Sequence, residues 1–350
     1  MDPGAGAACR GDTLAFRLAD AEHRLAGVRL YQHAGLPVDR LDFGRDDAAG
    51  GWRLELPRPA LWRLEYLLEL RHHDGGTELV CDPGNPHRVG GAYGDKSVLH
   101  CPDYAEPAWL GQAGADGAWR EIAISAPGIR AEVWARLWSP AGADDRVVIA
   151  HDGPEYDKLA ALGHFSAAMV AAGRLPAHHL VLLAPGDRNE WYSASPAYAW
   201  ALAADVLPRL ATELGTTRPV VGLGASLGAL AMLHAQRRYP AAFAGLFLQS
   251  GSFFQPRYDR HESGFRRYLR MVRFTGQVLR AADGPPTPTM LTCGRVEENL
   301  ANNRDMARAL WRQGYPATLF EVPDAHNYTG WRDAFDPYLT DLLRRVWAVG

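Results

Sequence analysis

The sequence has little cysteine and almost no excess of charge of either sign. Only four of its 350 residues are cysteine (Cys9, Cys81, Cys101 and Cys293), and their spacing is not that of metal ligands. Neither a zinc site nor a dense disulfide framework is therefore expected. The formal net charge of −3 gives no general attraction to nucleic acid.

Membrane-directing segments are lacking as well. No run approaches the ~18 apolar residues that a membrane-spanning helix needs, and residues 1–6 lack the basic and apolar parts of a signal peptide. Hydrophobic residues make up 47% and charged residues 22%, as in ordinary soluble globular proteins. We expect a cytoplasmic protein without nucleic-acid or membrane partners, and the sequence leaves the oligomeric state open.

The chain has two kinds of sequence pattern, and the first of them predicts a β-sandwich. Up to about residue 105, short alternating runs are separated by turn formers such as Asp74-Gly75-Gly76. Leu61–Leu70 could form a helix by composition, but the turn after it favours a β-hairpin. The Gly/Ala-rich stretch Gly111–Gly117 is the predicted linker. The predicted domains are therefore an immunoglobulin-like β-sandwich over 1–115 and a second domain over 116–350.

In the second half, strands alternate with helices. Strands are predicted at Glu121–Ser125, Glu132–Ser139, Arg146–Ala150, Leu180–Ala184, Val220–Leu223, Gly245–Gln249, Thr289–Cys293 and Thr318–Val322. Helices are predicted at Phe165–Ala172, Ala197–Leu214, Ala229–Arg238, Leu300–Gln313 and Trp331–Trp347. This alternation predicts an α/β fold with a mainly parallel eight-stranded sheet flanked by helices.

One motif in this half carries chemistry. The apolar run Val220–Leu223 leads into Gly224-Ala225-Ser226-Leu227-Gly228 and then into an Ala/Leu helix. Gly-x-Ser-x-Gly between a strand and a helix is the nucleophile elbow of an α/β-hydrolase. Ser226 is therefore predicted to be a nucleophile exposed at the carboxyl end of the sheet. A dinucleotide-binding turn over Gly222–Gly228 is the rival interpretation, but it favours an early position and a later acidic residue.

A serine nucleophile needs a base and an acid that orients the base. His326 follows the last predicted strand and precedes the final helix, which is where an α/β-hydrolase places its histidine. The acid is expected after the preceding strand. Glu297 is the first choice there, with Glu298 second and Asp324 third.

The same mechanism needs two backbone N–H donors for the oxyanion. Leu227, directly after the nucleophile, is one candidate. The other is expected in the loop after the third strand of the second half, where Pro154 has no N–H and Gly153 is therefore the better choice.

With these residues placed, the second half resembles the esterase D / enterochelin-esterase-like family of α/β-hydrolases. Six elements of its pattern occur in order across residues 120–347: Asp152-Gly153, Arg188-Asn189-Glu190, Gly224–Gly228, Gly294-Arg295-Val296-Glu297, Asn302-Asn303, and His326 with Trp331-Arg332. The stretch Asp82–Pro86 resembles the β-sandwich domain that precedes the catalytic domain in cytosolic ferric-enterobactin esterases. The family's usual Asp after the catalytic histidine is Asn327 here.

This resemblance implies a serine esterase with a Ser226-His326-Glu297 triad, an acyl-enzyme intermediate and no cofactor or metal. The implied partner is a small-molecule ester, and known relatives cleave ferric trilactone siderophores. Two alternatives stay open. One is an acyltransferase that uses the same triad, and the other is a ligand-binding protein that keeps the fold without catalysis.

Substrate contacts are predicted at Arg188, Trp191, Tyr192 and Tyr328. Arg188 is expected at the carboxyl edge of the sheet. Seven arginines lie between residues 257 and 280, and three of them, Arg266, Arg270 and Arg273, fall on one predicted helical face, with Phe265, Leu269 and Val272 on another. The segment is either a solvated basic face or a cap that attracts an anionic ester.

Overall fold

The computed structural model describes residues 6–348, which form two compact units. One unit contains the described residues up to Ala105 together with Gly294–Glu298 and Val322–Gly330. The other contains Glu106–Cys293, Asn299–Glu321 and the described residues from Trp331 onward. The first unit thus includes two short segments from late in the chain. The domains 1–115 and 116–350 stay a prediction.

In the described part of the first unit, from Gly6 onward, the chain forms nine strands. They are β1 (Gly6–Arg10), β2 (Thr13–Ala19), β3 (Leu25–Gln32), β4 (Gly44–Asp46), β5 (Gly51–Pro57), β6 (Arg63–His72), β7 (Thr77–Val80), β8 (Arg88–Val89) and β9 (Lys96–His100). Two sheets result, in the orders β1-β2-β5-β4 and β3-β6-β9-β8, with β7 paired to β6. All the recorded strand pairs in this unit are antiparallel, as predicted for its all-β pattern.

Alternating side chains give this unit its core. In β2, Leu14, Phe16 and Leu18 are buried while the residues between them are more exposed. Alternate residues of a strand point to opposite faces, so one face of this sheet is apolar. Phe16 meets Tyr66 of the other sheet edge-to-face, with ring centroids 5.1 Å apart. The apolar core therefore joins both sheets into a sandwich.

The segment that could have formed a helix is a strand. β6 and β7 pair antiparallel from Leu68↔Val80 to Arg71↔Thr77. Gly75 in the connecting turn has φ 87°, a conformation that glycine adopts without steric cost. The predicted hairpin is confirmed.

A disulfide joins Cys9 of β1 to Cys101, which directly follows β9. Cys81 and Cys293 remain thiols. Because β1 lies in one sheet and β9 in the other, the bridge links the two sheets of the sandwich.

Within its described residues, the second unit contains eight strands. They are β10 (Gly117–Ala126), β11 (Ala131–Pro140), β12 (Val147–Ala150), β13 (His179–Leu183), β14 (Val220–Ala225), β15 (Phe243–Gln249), β16 (Thr289–Gly294) and β17 (Ala317–Val322). The helices are α1 (Gly153–Ala160), α2 (Leu162–Ala171), α3 (Arg188–Trp191), α4 (Pro196–Ala201), α5 (Leu207–Leu214), α6 (Leu227–Arg238), α7 (Tyr268–Arg280), α8 (Leu300–Arg312), α9 (Tyr328–Asp333) and α10 (Thr340–Trp347). Leu202–Val206 and Phe335–Leu339 are π-helical and continue neighbouring helices.

All eight predicted strands enter one sheet, in the order β10-β11-β13-β12-β14-β15-β16-β17. The β13-β12-β14-β15-β16 pairs are parallel, whereas β10–β11 and β11–β13 are antiparallel. The fold is α/β and the sheet is mixed. Because neighbouring parallel strands end at the same edge, the loops after β12, β14 and β15 begin side by side.

The arginine-rich segment departs from its predicted pattern. Helix α7 begins at Tyr268, so Arg266 precedes it, and its buried face is formed by Tyr268, Met271, Phe274, Thr275 and Val278. Leu269, predicted to be on the apolar face, is 74% exposed. The prediction of that face was therefore wrong. Within residues 6–348, every helix is too short or too polar to cross a bilayer.

Candidate active site

The strand-to-helix turn at Ser226 is strained. Ser226 stands alone between β14 and α6, with φ 54° and ψ −121°. A positive φ in a residue with a side chain is costly and persists only where the surroundings enforce it, most often at functional sites. This backbone separates Ser226 from the regular paths of both the strand and the helix.

Glycines at 224 and 228 make the turn sterically feasible. A Cβ on Gly224 would lie 2.5 Å from the carbonyl carbon and oxygen of Gly228, well inside van der Waals contact. A Cβ on Gly228 would lie 3.1 Å from the Cβ of His151. The motif therefore needs glycine at 224 because strand and helix approach so closely there.

Backbone hydrogen bonds fix Ser226 from both sides. Its N–H donates to the carbonyl of Gln249 at the end of β15 (2.9 Å), and its own carbonyl accepts from the N–H of Ser252 (3.1 Å). The Oγ atoms of Ser226 and Ser252 lie 3.1 Å apart. Ser226 is thus held against the loop that follows β15.

Both predicted oxyanion donors occupy the first position of a helix. Gly153 begins α1 and Leu227 begins α6. The amides of a first helical turn have no acceptor within their own helix, and the helix dipole favours negative charge beside them. A Cβ on Gly153 would lie 2.4 Å from the Cα of Leu182 in β13, so glycine is required there too.

His151 connects the loop that carries Gly153 to helix α6. This fully buried imidazole directly follows β12, with Nδ1 3.0 Å from the carbonyl oxygen of Gly228 and Nε2 2.9 Å from the hydroxyl of Tyr198. Burial lowers the pKa of His151 to about 4, so the ring is neutral at pH 7. Since a carbonyl only accepts, Nδ1 carries the proton and Nε2 accepts from Tyr198. Sequence reasoning gave His151 no role, although its place after a sheet strand was a signal.

Arg188 forms a two-pronged ion pair with Asp152. Its Nε and Nη2 atoms lie 2.7 Å from the two carboxylate oxygens, and its guanidinium lies over the Tyr192 ring at 5.6 Å. The side chain of Arg188 is 35% exposed, whereas that of Asp152 is 4% exposed. Arg188 therefore fixes the residue that precedes Gly153. A substrate contact at Arg188 stays a prediction.

The aromatic residues after Arg188 are packed inside the unit. Tyr192 is fully buried beside His151 (4.4 Å between ring centroids), and its hydroxyl accepts from the N–H of Asp152 at 3.4 Å. Trp191 is 7% exposed and stacks on Tyr198. Tyr192 therefore supports the loop that carries Gly153, and Trp191 packs on Tyr198, whose hydroxyl donates to His151 in that loop. The predicted contacts of Trp191 and Tyr192 with substrate, and that of Tyr328 at the start of α9, stay predictions.

Three arginines of the arginine-rich segment converge on a single acid. Glu190 of α3 pairs with Arg266, Arg267 and Arg270 at 3.5, 2.5 and 2.6 Å. Burial works to raise the pKa of Glu190, but the hydrogen bonds from Arg270 and Arg267 outweigh it and lower that pKa. Because Arg266 also pairs with Asp187, two carboxylates face three guanidinium groups, which reduces the positive charge of the segment without removing it.

In the first unit, His326 and Glu297 form a hydrogen-bonded pair. His326 Nδ1 lies 2.9 Å from Glu297 Oε2, and the other oxygen of Glu297 accepts from the N–H of Gly294 at 2.7 Å. The Glu297 side chain is 1% exposed and that of His326 is 31% exposed. Glu298 is exposed at the surface. The pair thus has a buried acid and an accessible base, and its catalytic role stays a prediction.

Asp324, the third candidate acid, forms an ion pair with an arginine from β6. Arg63 donates to Asp324 Oδ2 from Nε (3.1 Å) and Nη2 (2.8 Å), and its side chain is only 1% exposed. Burial raises the pKa of the Asp324 carboxyl, although the charge of Arg63 opposes the rise. No local signal in the sequence could have revealed this partner of the histidine loop.

Asn327, which departs from the family pattern, completes that network. Its Oδ1 accepts from Arg63 (2.7 Å) and from the N–H of Gly330 (2.7 Å), and its Nδ2 donates to Asp324 Oδ1 (2.9 Å). An aspartate at this position would set a second carboxylate against Asp324. The amide therefore fits a site that already holds one buried acid.

Comparison with known proteins identifies the family. A model of the Esterase family matches residues 136–342. The chain belongs to the Esterase family. It is a carboxylic ester hydrolase, as the sequence predicted, and the resemblance to enterochelin esterases is confirmed. A search of curated proteins found no match.

Solved structures of similar fold include esterases of two enteric bacteria. The enterobactin esterase of Shigella flexneri, solved in the presence of enterobactin, superposes with a TM-score of 0.77 at 17% identity over 100% of both chains. The ferric enterobactin esterase of Salmonella typhimurium gives 0.76 at 18% identity, over 96% of this chain and 94% of that one. A ferulic acid esterase gives 0.55 at 14% identity, over 65% of this chain and 99% of its own. At these identities the likeness concerns the fold alone.

Proposed function

We propose that this family member is a serine esterase of the α/β-hydrolase fold that works through Ser226, His326 and Glu297. The observation that carries the proposal is the strained backbone of Ser226 between β14 and α6, with glycines where contact demands them. A strained elbow of this shape exposes the side chain of a nucleophile at the end of the sheet.

The hydrogen bond between His326 and Glu297 supports the same proposal. A carboxylate only accepts, so the proton of a neutral His326 lies on Nδ1 and Nε2 has a lone pair for the serine proton. The loops with these two residues follow β16 and β17, later in the chain than Ser226 and in the order acid, then histidine.

The proposed reaction uses only groups of this chain. His326 Nε2 takes the Ser226 proton while Ser226 Oγ bonds to the ester carbonyl carbon, and the N–H groups of Gly153 and Leu227 hold the oxyanion. The imidazolium, stabilised by Glu297, returns that proton to the leaving alcohol. Water then attacks the acyl-enzyme with His326 as base, releasing the acid and restoring Ser226.

A macrolactone siderophore in its ferric form is the substrate we propose. The support is the full-length likeness to enterobactin esterases, one of them solved with enterobactin present. Such a substrate is anionic, and Arg188 together with the residue 257–280 segment would contact it. The cytoplasm is the proposed location, as the sequence resemblance to cytosolic ferric-enterobactin esterases implies. The Cys9–Cys101 disulfide weighs against it, because reducing compartments keep thiols free.

Three experiments test this proposal. Ser226→Ala should abolish hydrolysis of a short-chain aryl ester and labelling by a fluorophosphonate probe, and undiminished turnover would refute the serine mechanism. The substrate is then tested by comparing the rates at which the enzyme hydrolyses simple aryl esters, apo trilactones and ferric trilactones. Faster turnover of simple esters than of any trilactone would remove the siderophore assignment. Product analysis with added alcohols or amines separates hydrolysis from acyl transfer.

A further inference from the structure

The Ser226 hydroxyl lies within hydrogen-bonding distance of another serine hydroxyl. Ser252 Oγ lies 3.1 Å from Ser226 Oγ, and either hydroxyl can donate in the resting protein. Ser252 is 3% exposed and lies in the loop after β15. It belongs neither to the proposed triad nor to the proposed pair of oxyanion donors.

The backbone of this loop folds back against the elbow. Ser250 has φ 47°, a left-handed conformation unusual for a residue with a side chain, and its N–H donates to the carbonyl of Thr292 (2.7 Å). Two residues later, the N–H of Ser252 donates to the carbonyl of Ser226 (3.1 Å). The backbone at Ser250 is thus strained, and this conformation places Ser252 beside Ser226.

Side chains from α8 and α9 hold the loop in place. Asn303 accepts from the N–H of Gly251 and donates to its carbonyl, both at 3.0 Å, so that one amide satisfies both backbone groups. Trp331 Nε1 donates to Ser250 Oγ at 2.9 Å. Asn303 and Trp331 are two of the family elements in the sequence to which the proposed chemistry gives no task. Their contacts fix the loop that carries Ser252.

We infer that Ser252 is a further catalytic residue, whose hydroxyl donates a hydrogen bond to Ser226 Oγ as the Ser226 proton leaves. This inference rests on the proposed serine mechanism. Once His326 has taken the proton, Ser226 Oγ can only accept, so the bond takes a single direction with Ser252 as donor. A hydrogen bond to an oxygen that gains negative charge is stronger than one between neutral groups.

Ser252 keeps its own proton throughout the cycle. In acylation the Oγ–C bond forms while the Ser226 proton moves to His326, and the hydrogen bond from Ser252 stabilises the developing charge. In the acyl-enzyme, Ser226 Oγ is an ester oxygen and a weaker acceptor. In deacylation the Oγ–C bond breaks and Oγ regains charge before the proton returns from His326. Ser252 therefore assists both half-reactions.

Ser252→Ala tests the inference, because it removes a hydroxyl with little change in shape. We expect kcat to fall roughly 10- to 100-fold, as for the loss of one hydrogen bond to a charged oxygen. KM should stay within about twofold, since the bond is made to the reacting atom and not to bound substrate. Labelling of Ser226 by the fluorophosphonate should slow by a similar factor. Ser166→Ala, which removes a buried hydroxyl on α2, is the matched control and should react like the unaltered enzyme.

The outcomes are separable. A Ser252→Ala enzyme with kcat within twofold of Ser166→Ala overturns the inference, and so does a rise in KM with unchanged kcat. Full activity of Ser226→Ala would instead overturn the serine mechanism itself. Should Ser252→Ala prove unstable by thermal unfolding, Ser252→Cys decides. A thiol is a weak donor, so an intermediate kcat supports the inference and an unaltered kcat overturns it.

Discussion

Arg63 and Asp324 lie 261 positions apart in the sequence, yet the guanidinium of one donates two hydrogen bonds to a single carboxylate oxygen of the other. Both side chains are at least nine-tenths buried. Asp324 lies two residues before His326, so this pair anchors the loop that carries the proposed base. The sandwich strand β6 thereby contributes directly to the histidine loop.

Replacing Arg63 by Met should destabilise the protein strongly. The substitution keeps apolar bulk but leaves the Asp324 carboxylate buried without its cation, which costs about 3–5 kcal/mol in other proteins. Urea unfolding at pH 7 measures the change. The double variant Arg63→Met/Asp324→Asn, which removes the charge as well, should recover part of the loss. A single-variant cost below about 1 kcal/mol would contradict this account of the pair.

Glu297→Gln should lower kcat by roughly 10³- to 10⁴-fold through the wrong histidine tautomer. The amide oxygen would keep the hydrogen bond from the Gly294 N–H, which turns the amide N–H₂ toward His326 Nδ1. Nδ1 must then accept, so the proton moves to Nε2, where the lone pair for Ser226 is needed. Steady-state kinetics with an aryl ester measures the loss. Glu298→Gln is the matched control at an exposed neighbour, and an equal loss there would reassign the acid.

Acidification should destabilise the fold through three buried histidines. Burial lowers the pKa of His151, His178 and His234 to about 4, from an ordinary 6.5. Between pH 6.5 and 4 the unfolded chain binds protons that the folded chain does not, so stability falls as the pH falls. Each histidine contributes roughly 1 kcal/mol per pH unit across that window.

His178→Phe tests this linkage away from the candidate site. The phenyl ring keeps the packing against Trp347, whose centroid lies 5.0 Å from that of His178. The slope of unfolding free energy between pH 6.5 and 4.5 should become less steep by about 1 kcal/mol per pH unit. Trp347→Phe, which alters the same packing without removing a titratable group, is the control and should leave the slope unchanged. An equal slope in both variants would argue against a neutral, buried His178.

Loss of the Cys9–Cys101 disulfide should cost about 3–5 kcal/mol. The bridge closes a loop with a sequence separation of 92, and a long loop restricts the unfolded chain most. Cys9→Ser and Cys81→Ser, compared by urea unfolding without reductant, form a matched pair because only the first breaks the bridge. Alkylation of all four cysteines in the unreduced, denatured protein would show that the bridge does not form.

The sequence predicts features that depend on neighbouring residues and misses those that depend on distant ones. The turn at Ser226, the strand before it and the helix after it follow from local glycine placement and apolar runs. The β6–β7 hairpin follows from its turn residues. Arg63 gave no signal, because an arginine in a strand appears exposed until its partner from the other end of the chain is known.

Helix α7 shows how a local pattern can be ambiguous. Its segment carries two apolar stripes, one through Leu269 and Val272 and the other through Tyr268, Met271 and Phe274. Periodicity marks both and cannot rank them. The helix buries the stripe that contains the rings of Tyr268 and Phe274, which packs in the second unit, and it leaves Leu269 in solvent. Loop Ser250–Ser252 was missed for a related reason, since its shape depends on side chains from two later helices.

The packing of residues 322–330 with the sandwich also has a consequence for how the protein can be shortened or recombined. A polypeptide that starts after residue 115 would retain Ser226, Glu297 and His326 and would look complete by its motifs. It would lack Arg63 and the apolar core in which Ala325 is embedded. An exchange of N-terminal halves between relatives would meet the same difficulty, because the new half would have to provide a buried cation for Asp324. Residues 63, 324 and 327 are therefore expected to change together or not at all as the family diverges.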